Sequence, residues 1–126
     1  MIYSKHSSRS PEEIEQRLRE AAQRQKFGVL HVQDLKQTLR SKGFEFAPEC
    51  RIFDVCNPMA ASTVLAKDLK VSTVLPCRIS LYSDGDGYAL STVTPTEMMK
   101  ATGLPGLEEV ASDVERAMKT IIDEAV

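Results

Sequence analysis

The chain has 126 residues, 42% of them hydrophobic and 27% charged, and a formal net charge of −2. That length suits one domain over residues 1–126, and the composition is globular rather than disordered. The acidic balance argues against binding nucleic-acid phosphates, and no apolar run approaches the ~20 residues that cross a bilayer, so neither nucleic acid nor membrane is expected as a partner.

Ile2 to Ser8 is a weakly patterned first strand. Ser10-Pro11-Glu12-Glu13 then starts a helix: the serine caps, proline has the φ of a first helical position, and Glu13 stands where a capping box needs its acid. Ile14, Leu18, Ala21 and Ala22 continue at helical spacing to about Lys26. Gly28 to Val32 is a short strand, and Asp34 caps a short helix with Leu35 and Leu39 inward, stopping at Gly43. Arg51 to Cys56 is the next strand. It ends at Asn57-Pro58, where asparagine caps and proline opens a helix carrying Ala61, Val64 and Leu65. Strands Cys77 to Tyr82 and Tyr88 to Thr94 flank the turn Asp84-Gly85-Asp86-Gly87 and are expected to leave an unpaired sheet edge. Pro95 opens a short helix through Met98 and Met99. After Pro105-Gly106 the apolar positions from Leu107 to Ala125 keep the helical period, with Val114 central in a stripe expected to pack wholly on the sheet. The order of elements predicts an α+β fold, with an antiparallel sheet and helices on one side.

Two short segments draw most of the functional interest. Cys56-Asn57-Pro58 closes one strand and Leu75-Pro76-Cys77 opens the next. If these strands are antiparallel neighbours, the end of one lies beside the start of the other. Cys56, Asn57, Pro58 and Cys77 are therefore the candidate ligand-binding residues, because the junction combines helix N–H groups with two polarizable thiols. Both thiols also fit as small packing groups, the plainer account. A thiol becomes a nucleophile only when a cation, metal or helix end stabilises its thiolate, and no residue is assigned a catalytic role.

The three cysteines, Cys50, Cys56 and Cys77, are too few and of the wrong parity for a disulfide framework, which points to a reducing cytoplasm. Their spacing matches no zinc or redox motif, so no metal and no cofactor is expected. His6 and His31 lie on different strands that bring them together only if those strands pair. Asp84 opens no calcium loop, since the twelfth position is Pro95 rather than glutamate. Asp54, inside an apolar strand, is read as facing solvent on the open side of the sheet. Residues 1–42 hold nine Lys/Arg against five Asp/Glu, and residues 43–126 seven against thirteen, a polarity that can align subunits.

Phe27-Gly28-Val29-Leu30, Cys56-Asn57-Pro58, Leu75-Pro76-Cys77 and Val93-Thr94-Pro95 with Met98 and Met99 together resemble domain-of-unknown-function family 302, a group of small bacterial and archaeal proteins. The chain departs from that pattern at Asp54 and His31. The resemblance implies a curved antiparallel sheet with helices on one side, like that of the TATA-binding protein, and brings no established activity. The favoured expectation is a non-catalytic cytoplasmic domain that binds a small molecule or a partner and forms a homodimer. The alternative is a thiol-dependent enzyme or redox module using Cys56 or Cys77. Nucleic-acid binding rests on fold analogy alone.

Overall fold

The computed structural model describes residues 1–126. Its strands are β1 (Ile2–Ser7), β2 (Gly28–Asp34), β3 (Cys50–Cys56), β4 (Cys77–Asp84) and β5 (Gly87–Val93). They form one open antiparallel sheet in the order β1-β5-β4-β3-β2. Period-two alternation divides the central strands: Phe53, Val55, Ile79 and Leu81 are buried, while Ile52, Asp54, Arg78, Ser80 and Tyr82 take the other face. A shallow hollow over that second face is lined only by strand residues.

Helices α1 (Pro11–Arg24), α2 (Leu35–Ser41), α3 (Pro58–Lys67), α4 (Pro95–Thr102) and α5 (Glu108–Ala125) complete the fold, with a 3₁₀ turn at Leu69–Val74. The 3₁₀ turn was not anticipated. The Asp68 side chain caps it, its oxygen accepting from Lys70 N at 2.9 Å. On the apolar face, Ile14, Leu18, Ala21 and Ala22 of α1 and Met118, Ile121, Ile122 and Ala125 of α5 close the main core over the sheet. Ser10 caps α1 by accepting from Glu13 N at 3.2 Å. The Glu13 carboxylate takes Arg9 at 2.5 Å instead of returning to the cap, so half of the expected capping box forms. At the β4–β5 hairpin a Cβ on Gly87 would lie 2.6 Å from the Ser7 carbonyl oxygen, so only glycine permits β1 to approach this closely.

Three expectations change. Strands β4 and β5 leave no open edge, because β3 flanks one and β1 the other; the edges are β1 and β2. His6 on β1 and His31 on β2 therefore lie at opposite sides of the sheet and do not meet. The stripe of α5 does not pack wholly on the sheet. Its C-terminal half joins the main core, while Leu107 and Ala111 join a second cluster with Val64 of α3, Val71 of the 3₁₀ turn and Met99 of α4. Val114 packs at the margin of the main core and is only partly buried.

Candidate functional site

The gap between the two clusters is a half-open cleft of about 310 Å³. Fourteen of its eighteen lining residues are hydrophobic and none is charged, so its walls offer burial and little else. The ends of β3 and β4 supply Val55, Cys56 and Cys77; α3 supplies Ala60 and Ala61; α5 supplies Val110 and Val114. Leu30 of β2, Met99 of α4 and Phe27 in the connection before β2 extend the wall.

Strand register brings the two motifs to one place. Val55 pairs with Cys77, so Cys56 is one residue beyond the partner of Cys77, as antiparallel neighbours require. Asn57 then stops the strand and caps α3, its Oδ1 accepting from Ala60 N at 3.0 Å. Cys56, Asn57 and Cys77 all line the cleft, together with Leu75 and Pro76, which are joined by a cis peptide bond. Pro58 occupies the first helical position of α3, is exposed, and does not line the cleft. Its part is to set the wall on its course.

Burial, with a smaller contribution from neighbouring Cys56, pushes the Cys77 thiol up from 9.0 to about 11. Cys50 belongs elsewhere: it pairs with Tyr82 at the other end of β3, and burial followed by the nearby Asp34 raises its thiol. Asp54 and Arg78 pair at 3.4 Å on the far face of the sheet, so neither serves the cleft. His6 is paired with Asp84 at 3.1 Å. No group of three or more His, Cys, Asp or Glu side chains comes together as a metal site. No helix is long and apolar enough to cross a membrane.

Sequence reasoning located the strand-end residues of the cleft and missed its far walls. Val110, Val114, Leu30 and Met99 reach it through tertiary packing and carry no local signal. The one available sign was Ala60-Ala61 on the helix after Asn57, where small side chains leave room.

The family model described as "Domain of unknown function DUF302" matches residues 3–125. The crystal structure of an uncharacterized conserved protein DUF302 from Bacillus stearothermophilus is similar at a TM-score of 0.94 and 30% sequence identity, covering 99% of this chain and 98% of that one. No curated protein matches the chain.

Proposed function

Because the chain belongs to the DUF302 family, whose description carries no activity, we propose from its own geometry that it is a non-catalytic small-molecule-binding domain with the cleft as its ligand site. The observation that carries this reading is a half-open, uncharged, apolar cleft of about 310 Å³, at the lower end of the ~300–1,000 Å³ typical of ligand pockets. In this reading Cys56, Asn57 and Cys77 contact the ligand, and Pro58 acts by directing α3.

The thiol-dependent alternative has less behind it. With its thiol pushed up from 9.0 to about 11, Cys77 holds ~100-fold less thiolate at neutral pH than an unperturbed cysteine. No His lines the cleft to take the proton, and no Lys or Arg lines it to stabilise a thiolate.

The same reading takes the protein as a cytoplasmic homodimer. Edge strand β1 runs six residues without a bulge or proline, and the strand-lined hollow beside it carries Ile2, Ile52 and Val93, features that suit a second copy. Three free thiols suit a reducing compartment.

The test of the site uses the neutral dye N-phenylnaphthylamine, whose fluorescence rises on entering an apolar pocket. Binding is expected in the native chain and lost in Ala61→Phe, which fills the cleft, while the melting transition stays cooperative. Absence of dye binding, or binding unchanged in a folded Ala61→Phe protein, overturns the cleft as the site.

A further inference from the structure

Resting on the cleft as ligand site, we infer that its ligand is an uncharged, mainly hydrocarbon molecule bearing one hydrogen-bond acceptor, such as an ester, ketone or ether, which the Asn57 side-chain amide receives.

The exclusion of charge follows from what surrounds the space. No Lys, Arg, His, Asp or Glu lines it. A carboxylate or ammonium entering such a wall loses its hydration with no partner, a cost of several kcal/mol per ion. The cation on α3 close to the cleft is already engaged outside it: Lys67 Nζ donates to the Gly106 carbonyl at 2.8 Å.

A helix N-terminus is the usual remedy for a buried anion, and α3 begins at this wall. Here its donors are spent. Pro58 has no N–H, Ala60 N donates to Asn57 Oδ1, and Ala61 N donates to the Asn57 carbonyl. That leaves the N–H of Met59, a residue that is 80% exposed and absent from the cleft wall. The capping that makes the helix start at this point also removes its capacity to cradle an anion.

What remains is a sparse polar offer, the Asn57 amide and the hydroxyl of Ser72, which also lines the cleft. The Asn57 oxygen is occupied by the cap, while its Nδ2 donates to no protein group. Asn57 lines the cleft with this donor uncommitted, and it is the group assigned here to the ligand's acceptor. The Cys77 thiol, held protonated by burial, adds a polarizable contact without charge.

Matched ligands test this by displacement of bound N-phenylnaphthylamine at pH 8. Methyl decanoate is expected to displace the dye, and decanoate to do so at least ~tenfold more weakly, as an unpaired buried charge demands. Asn57→Asp keeps an oxygen for the cap while deleting the amide donor. It is expected to weaken methyl decanoate about tenfold and to leave decanol, which can donate to the new carboxylate, within about twofold. Decanoate equal to the ester overturns the uncharged class and leaves the cleft standing. Ester affinity unchanged in Asn57→Asp overturns the anchor. Displacement that persists in Ala61→Phe overturns the cleft itself.

Discussion

Two truncations on one face of α5 should differ severalfold in cost, because the helix leaves a closed core for an open cleft along its length. Ile121 is fully buried in the main core. Ile121→Ala removes three carbons at ~0.8 kcal/mol each and leaves a void among residues that cannot collapse, for about 3 kcal/mol. Val114 is partly buried and faces the cleft. Val114→Ala removes two carbons from a half-wetted wall, ~0.8 kcal/mol, of which the better helix propensity of alanine returns up to ~0.5. At ~2.1 cal/mol/K of unfolding entropy per residue, the first variant lowers Tm by about 11 °C and the second by about 1–3 °C. Thermal and urea denaturation of the two proteins measure the difference. Equal losses would mean that α5 buries one continuous stripe, as its sequence pattern suggests, and that the gap at Val114 is closed in solution.

Alkaline pH tests the Cys77 environment. Its folded pKa is raised from 9.0 to about 11, so between those values the unfolded chain releases a proton that the folded chain keeps. Stability is expected to fall as pH rises from 9 to 11, by up to about 1.4 kcal/mol per pH unit, with the slope reduced in Cys77→Ser; a flat profile in the native chain refutes it. Iodoacetamide at pH 7.5 should modify Cys77 far more slowly in the folded protein than in urea, and equal rates would count against its burial. At the acid end, burial opposes ionisation of Glu115, but hydrogen bonds from Thr96 and Lys119 outweigh it and hold the carboxyl below its usual range. The stability it contributes is present above the unfolded value of 4.5 and lost as pH falls through the lower folded value, so Glu115→Ala should flatten the acid limb of a stability profile. Asn57→Ala should cost ~1 kcal/mol through the lost cap of α3, and a neutral result in chemical denaturation would remove that role.

Most of the elements were legible because each carries its own punctuation. Ser10-Pro11, Asn57-Pro58 and Pro95 mark helix starts, and the period of Leu107 to Ala125 marks the last helix. The juxtaposition of Cys56 and Cys77 was legible for a topological reason, since it follows from two strands being antiparallel neighbours. Partner choice beyond neighbours was not. That β1 inserts beside β5 depends on Gly87 letting Ser7 approach, a contact eighty residues apart in sequence. The division of the α5 stripe was equally hidden, because a hydrophobic period reports which face is apolar and not whether another surface meets it.

Why the cleft stays open has a physical answer in how its walls are fastened. Across the gap the facing side chains are short: Ala60 and Ala61 on α3, Val110 and Val114 on α5. They cannot interdigitate, and an apolar wall left to water forgoes ~25 cal/mol for each Å². The walls are tied at their margins by polar contacts instead. Lys67 of α3 holds the Gly106 carbonyl just before α5, and Glu115 of α5 accepts from Thr96 N at 3.1 Å and from Thr96 Oγ1 at 2.6 Å in the first turn of α4. Each tie fixes the spacing of two helices without filling the space between them. Larger residues at the alanines would close the gap and recover buried area, so the chain carries smaller side chains than packing alone would favour. An apolar cleft framed by hydrogen bonds at its rim is the arrangement that the proposed ligand site requires, because its walls need not unfold around a guest.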